Sequence, residues 1–229
     1  MELTMFETLL GLPLFLGLGH NDLTRIIEKI SFNFKKMSPG EVVCQQGDPC
    51  LHMTFLLCGE LLAVTESIEN AFILSESCKI PGIIQPESLF GLHPTYSHSC
   101  IAGTPVNNMQ IPKQAVLTNL LNYSIFRLNF LNMLCTLAQQ RESLLWHRPS
   151  DTIEHKIADF LVDHSMRISG EKVLKMKMAD LADYLQETRI NVSKALNNLE
   201  KEHLVVLSRG IIKIPSLEQL FLVKDLPMR

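Results

Sequence analysis

Hydrophobic and polar positions change texture three times along the chain. Between residues 31 and 112, short apolar runs at 41–44, 53–58, 61–64 and 71–74 alternate with turn signals at 38–40, 46–49, 58–59 and 81–82. Many short strands at near-regular spacing, punctuated by Gly and Pro, predict an all-β barrel or sandwich. Residues 122–147 contain neither Gly nor Pro. There Leu128, Leu131, Cys135, Ala138 and Leu145 continue a seam that starts at Leu121, and Leu134, Leu137 and Leu144 run beside it. The 3–4 spacing predicts one long helix of about 25 residues, with one face for its own barrel and another for a second copy. Arg148-Pro-Ser-Asp151 ends that helix. Proline removes a donor and clashes with the preceding turn, and Ser and Asp are good caps, so a hinge is expected here. An amphipathic stretch at 152–164 follows, closed by Ser169-Gly170.

The sharpest pattern lies at 178–199. Leu181 and Leu185 share one face of a short helix, and Ala182 is small where a second helix must cross closely. Gln186-Glu187 make the turn, and Thr188 is a good N-cap for the next helix. Val192, Ala195, Leu196 and Leu199 form that helix's buried stripe, which predicts a helix-turn-helix. The outward stripe is then Arg189, Ile190, Ser193, Lys194, Asn197 and Lys201, flanked by Asn191. Arg and Lys donate to guanine, Asn pairs with adenine, and Ser reaches phosphate or base. Residues 204–207 and 211–214 are apolar runs about Ser208-Arg-Gly210, which predicts a hairpin wing with Arg209 at its tip. The plainer alternative is a surface helix with ordinary solvated charges.

Composition narrows the classes. The chain has 229 residues, 46 % hydrophobic and 20 % charged, with a formal net charge of −3. It therefore buries real cores, and it is not a basic coat protein. The charge is nonetheless uneven: residues 172–213 hold 8 basic and 5 acidic side chains. The longest apolar run, residues 9–18, is far short of the roughly 20 residues of a membrane span. Nothing near residue 1 reads as a signal peptide, so a cytoplasmic location is expected. Six cysteines stand at 44, 50, 58, 78, 100 and 135, no two separated by two residues. They read as reduced thiols, and no metal site is expected. Neither nucleotide-binding glycine motifs nor Gly-x-Ser-x-Gly nor His-Glu-x-x-His occurs, so no enzyme is expected.

From about residue 9 to 220, the chain resembles the Crp/Fnr family of bacterial transcription regulators. Lys36-Met-Ser-Pro-Gly-Glu-Val-Val-Cys-Gln-Gln-Gly-Asp-Pro49 and Cys58-Gly59 look like that family's first barrel strands, with Gly40, Gly47 and Gly59 at turns. Ser88-Leu-Phe-Gly91 looks like the entry to its ligand cassette, and residues 180–200 align without a gap to its helix-turn-helix. The resemblance implies an α+β chain in three parts. A double-stranded β-helix (jelly-roll-like) sensor barrel would take 1–121, a dimerisation helix and hinge 122–149, and a winged helix-turn-helix 150–229.

It further implies a homodimer that reads an inverted repeat in double-stranded DNA, with RNA polymerase as a further partner. Lys177, Thr188, Arg189, Asn191, Ser193, Lys194, Asn197 and Arg209 are the expected DNA contacts, with Lys177 on phosphate. Ile190 stands where the family carries Glu, so a different target sequence is expected; Gln186 stands where the family carries a turn glycine.

The effector region falls at Phe90, Gly91, Leu92, His93, His98 and Ser99. A cyclic-nucleotide binder of the family holds the ribose with a Glu where this chain has Leu92, and holds the phosphate with an Arg. No Arg lies between Arg25 and Arg127, and a buried phosphodiester without a cation costs several kcal/mol. Cyclic AMP is therefore not expected to bind. Haem is the specific alternative, with His93, His98, Met53, Met109 and Met133 as axial candidates, against a plainer reading of the two histidines as loop residues. The family's iron–sulfur members carry an N-terminal cysteine cluster, and this chain has no Cys before Cys44. A rival from another class is a ligand-binding scaffold that regulates a partner protein without touching DNA.

Overall fold

The structure is a computed structural model describing residues 5–67, 71–79, 82–145, 152–167 and 169–222. The chain begins with helices α1 (Met5–Leu10) and α2 (His20–Lys29). Strands β1 (Asn33–Met37), β2 (Val42–Cys44), β3 (His52–Cys58), β4 (Glu60–Glu66), β5 (Phe72–Lys79), β6 (Gly82–Ile84), β7 (Ser99–Ala102) and β8 (Val106–Pro112) follow. Next come α3 (Lys113–Thr118) and the long α4 (Ser124–Leu145), then α5 (Ile153–His164) and β9 (Lys172–Met176). The chain continues through α6 (Met178–Tyr184), α7 (Arg189–Lys201), β10 (Val206–Ser208), β11 (Ile211–Ile214) and α8 (Leu217–Leu222). The expected fold class holds: α+β, with antiparallel jelly-roll-like strands and a C-terminal helix-turn-helix. Helix α4 lies within the predicted span, and the expected hinge at 147–151 lies outside the described residues.

Two compact units form, one from Met1–Leu61, Lys79–Ser97 and Ala102–His147, the other from Leu62–Cys78, His98–Ile101 and Arg148–Arg229. In the first, strands run antiparallel in the order β1-β8-β3-β6. Four consecutive residues of β3, Met53 to Leu56, are buried, so this strand is covered on both faces and its apolar pattern does not alternate. Strand β1 is an exposed edge, and Lys35 and Lys36 keep it from pairing further. At Gly59 the backbone turns with φ +96°, and a Cβ there would meet the carbonyl of Pro105. Helix α4 is fixed by its inner face. Phe126 packs edge-on against Phe15 at 5.2 Å, and Phe130 meets Phe90 at 6.2 Å. The Asn129 amide donates to the carbonyls of Leu14 (3.2 Å) and Leu16 (2.9 Å). Its other side is uncovered: Leu128 is 57 % and Leu131 51 % exposed, and Cys135 and Ala138 are exposed in line with them.

The second unit is not the contiguous C-terminal segment drawn from the sequence. Strand β5 pairs antiparallel with β9 from Phe72↔Met176 to Glu76↔Lys172, which brings residues 62–78 into this unit. At the end of that ladder the Lys172 ammonium sits 2.9 Å from the Glu76 carboxylate, and both side chains are almost wholly buried. The carboxylate also accepts the backbone N–H groups of Met166 and Arg167 (3.1 Å for the latter), and Lys172 donates to the Ser169 carbonyl at 2.7 Å. Buried charges are tolerated when they are paired and further hydrogen-bonded in this way. Beside them Phe72, Phe160, His164 and Tyr184 form an aromatic cluster with ring centroids 4.6–5.6 Å apart. It ties β5, α5 and α6 together.

Candidate nucleic-acid interface

The site is built on the α6–α7 pair. Helix α6 buries Leu181 and Ala182, and α7 buries Val192, Ala195, Leu196 and Leu199. Both stripes follow the helical period, so the two helices cross through small and branched apolar contacts. The link between them is tight. Glu187 N–H donates to the Ala182 carbonyl (2.9 Å) and Gln186 N–H to that of Asp183 (3.2 Å). This closes α6 with a left-handed residue, Gln186 at φ +54°. Thr188 caps α7 by accepting the Asn191 N–H at 3.2 Å. Lys156 of α5 reaches Glu187 at 2.5 Å and pins the turn from the far side.

Against that buried stripe, the opposite face of α7 is free. Arg189, Ile190, Asn191, Lys194, Asn197 and Lys201 are exposed, and Ser193 is half-buried. No acidic residue stands in the first turn of α7, so nothing there opposes an approaching anion. Lys177, the residue before α6, is exposed. The wing is the β10–β11 hairpin, paired from Val206↔Lys213 to Ser208↔Ile211, with Gly210 turning at φ +70° and Arg209 exposed at the tip. Glu200 at the end of α7 accepts the Leu207 N–H at 2.8 Å, which sets the wing beside the helix. Thus Lys177, Thr188, Arg189, Asn191, Ser193, Lys194, Asn197 and Arg209 all belong to the second unit and reach solvent in varying degree.

The family model of the Crp-like helix-turn-helix domain matches residues 155–221. Residues 155–221 form a Crp-like helix-turn-helix domain. It spans α5 to α8, and α7 is the second helix of the α6–α7 helix-turn-helix. The catabolite activator protein of Thermus thermophilus has a similar fold over 93 % of this chain and 98 % of its own, at 15 % identity and a TM-score of 0.51. FixK2 of Bradyrhizobium japonicum aligns over 87 % of this chain and all of its own, at 13 % identity and a TM-score of 0.48. The sensor domain of the regulator DNR from Pseudomonas aeruginosa aligns with 60 % of this chain and 95 % of its own, at 23 % identity and a TM-score of 0.49. Among curated proteins, none matches the chain. The Crp/Fnr resemblance read from the sequence is borne out by the Crp-like domain together with the fold.

The effector residues are scattered. Phe90 packs on Phe130 beneath the Lys113 ammonium, 5.2 Å from its ring centroid. Gly91 and His93 are exposed, and Leu92 is 94 % exposed. His98 and Ser99 are buried and belong to the second unit, where His98 Nδ1 lies 2.7 Å from the Thr65 hydroxyl. Among the described residues, no three His, Cys, Asp or Glu side chains gather as metal ligands.

Sequence reasoning passed over a polar interior in the first unit. Thr54, Gln85, Ser88, Asn108 and Gln110 are buried there. Gln85, in a left-handed conformation at φ +43°, accepts the N–H (2.8 Å) and hydroxyl (2.9 Å) of Ser97. Burial pushes the Cys50 thiol and the Tyr96 hydroxyl upward, so both stay protonated. The buried polar side chains of this unit are thus neutral among the described residues. Only the αL conformation of Gln85 and two amides in a strand hinted at it, and neither has a distinctive sequence pattern.

Proposed function

We propose that the chain is a dimeric, sequence-specific transcription regulator of the Crp/Fnr type, controlled by an effector other than cyclic AMP. The observation that carries this reading is the outward stripe of Arg189, Asn191, Ser193, Lys194 and Asn197 on the second helix of the helix-turn-helix in a Crp-like domain. Such a helix enters the major groove by its N-terminal turns, with Lys177 and Arg209 on the flanking backbone. The uncovered stripe of Leu128, Leu131, Cys135 and Ala138 on α4 supports pairing with a second copy, which sets two reading helices on an inverted repeat. RNA polymerase is the partner an activating role would engage.

The effector argument rests on charge. A phosphodiester needs a paired cation; the first unit's buried polar residues are uncharged, and the half-buried Lys113 ammonium lies over the Phe90 ring. A neutral ligand or a redox signal suits that interior better. Haem would draw on His93, which is exposed, rather than on His98, which is engaged with Thr65. A gel mobility-shift assay on enriched genomic fragments tests the DNA reading. Retarded, competable fragments are expected, and uniform weak binding to every duplex would refute it. An absorption spectrum after haem titration tests the haem reading, which a missing Soret band dismisses.

A further inference from the structure

Ile190 is the second residue of α7 and is 69 % exposed. At 100° per residue it shares the outward line with Lys194, Asn197 and Lys201, directly opposite the buried Val192, Ala195, Leu196 and Leu199. A β-branched residue there does nothing for the fold: it packs against no core, and it is a weaker helix former than Ala. Its neighbours at the helix start are all groove chemistry, Arg189 and Asn191 beside it and Lys194 one turn on. An apolar group held among hydrogen-bonding side chains, on the turn that goes deepest into a major groove, fits one base feature. That feature is the C5-methyl of thymine.

We infer that Ile190 is a specificity-determining residue that reads a thymine methyl in each half-site of the target duplex. The inference rests on the DNA-binding reading above and deepens it. Arg189, Asn191 and Lys194 supply hydrogen bonds and charge, and Ile190 supplies the apolar contact. Uracil leaves the same hydrogen-bonding edge but an unfilled contact, so discrimination of the methyl is modest and additive to the polar contacts.

The test uses the full-length protein. Random-sequence duplexes are enriched on it, and each thymine of the enriched half-site is then replaced in turn by uracil, which removes only the methyl group. One position per half-site is expected to lose about fourfold in affinity, the effect of burying one methylene-sized group. The Ile190→Ala protein is expected to select the same flanking pattern and to bind the thymine and uracil duplexes equally. Because the side chain is exposed, this variant keeps its fold, which circular dichroism verifies. If duplexes are enriched but no uracil replacement weakens the wild type, the inference fails and the DNA reading stands. If Ile190→Ala retains the methyl dependence, another residue makes the contact and the inference again fails. If no sequence is enriched at all, both fail together.

Discussion

Replacing Gln186 by Gly should raise the stability of the Crp-like domain. Gln186 closes α6 at φ +54°, a left-handed conformation that costs an L-residue roughly 1–2 kcal/mol. Glycine pays no such steric penalty, but it gives back about 0.5–1 kcal/mol through the greater freedom of its unfolded chain. The net gain is about 0.5–1 kcal/mol. For a unit of this size each kcal/mol moves Tm by roughly 4–8 °C, so a rise of about 2–8 °C is expected in calorimetry. The exposed Gln186 side chain leaves no core void when removed. Gln186→Ala is the decisive control, since it deletes the side chain and keeps the strain. It should leave Tm unchanged or slightly lower. His203 repeats the arrangement at the end of α7, with φ +60° and Leu204 N–H donating to the Leu199 carbonyl at 3.0 Å. His203→Gly should therefore add a similar increment, nearly independently. An alanine variant as stabilising as the glycine variant, or a glycine variant less stable than wild type, would refute the backbone argument.

Other outcomes follow from the same geometry. Lys194→Glu should abolish selective DNA binding in a mobility-shift assay while the protein stays folded, because Lys194 is exposed on the outward face of α7. Lys177→Ala should weaken all duplexes alike and flatten the log K against log salt slope by about one unit. Leu131→Glu should give a folded monomer by sedimentation, since it puts a charge into the apolar stripe of α4; an unchanged dimer would move the pairing surface elsewhere. Lys172→Met should destabilise by about 3–5 kcal/mol in denaturant unfolding by stranding the Glu76 carboxylate, and adding Glu76→Gln should recover part of that. Under native conditions two thiols, Cys58 and Cys135, should react quickly with an aromatic disulfide reagent. The other four are buried, and desolvation pushes Cys78 up to about 11. Rapid labelling of four or more would contradict the burial.

Much of this was written into the sequence at short range. The α6–α7 pair was legible because its signals are local: a four-residue apolar spacing, a capping Thr188 and a periodic stripe on α7. Helix α4 announced itself by 26 residues without Gly or Pro. Helix α2 went unread, because over its ten residues the buried face is only Leu23 and Ile26. Long-range pairing had no such signature. Strand β9 reads as a charged segment, Lys172-Val-Leu-Lys-Met176, and Glu76 and Lys172 look like surface charges 96 positions apart in the chain. Only the β5–β9 ladder makes them partners, and it also moved residues 62–78 into the second unit. The effector residues were chosen by analogy with a ligand cassette. The buried neutral groups, by contrast, come from turns and strand faces spread over β3, β8 and the Gln85 turn.

The division of labour in the second unit explains why the outward face of α7 is polar at every position but Ile190. Its fold is held from within, by the α6–α7 stripes, the aromatic cluster about Phe160 and the Glu76–Lys172 pair. None of these draws on the outward face of α7, so that face is free to vary in chemistry without cost to stability. The polar residues there need no structural account, because solvated charges are what a free helix face carries. Ile190 does need one, since an exposed branched apolar residue brings neither packing nor helix propensity. The residue that the fold does not use is for that reason the one that says most about what the face is built to meet.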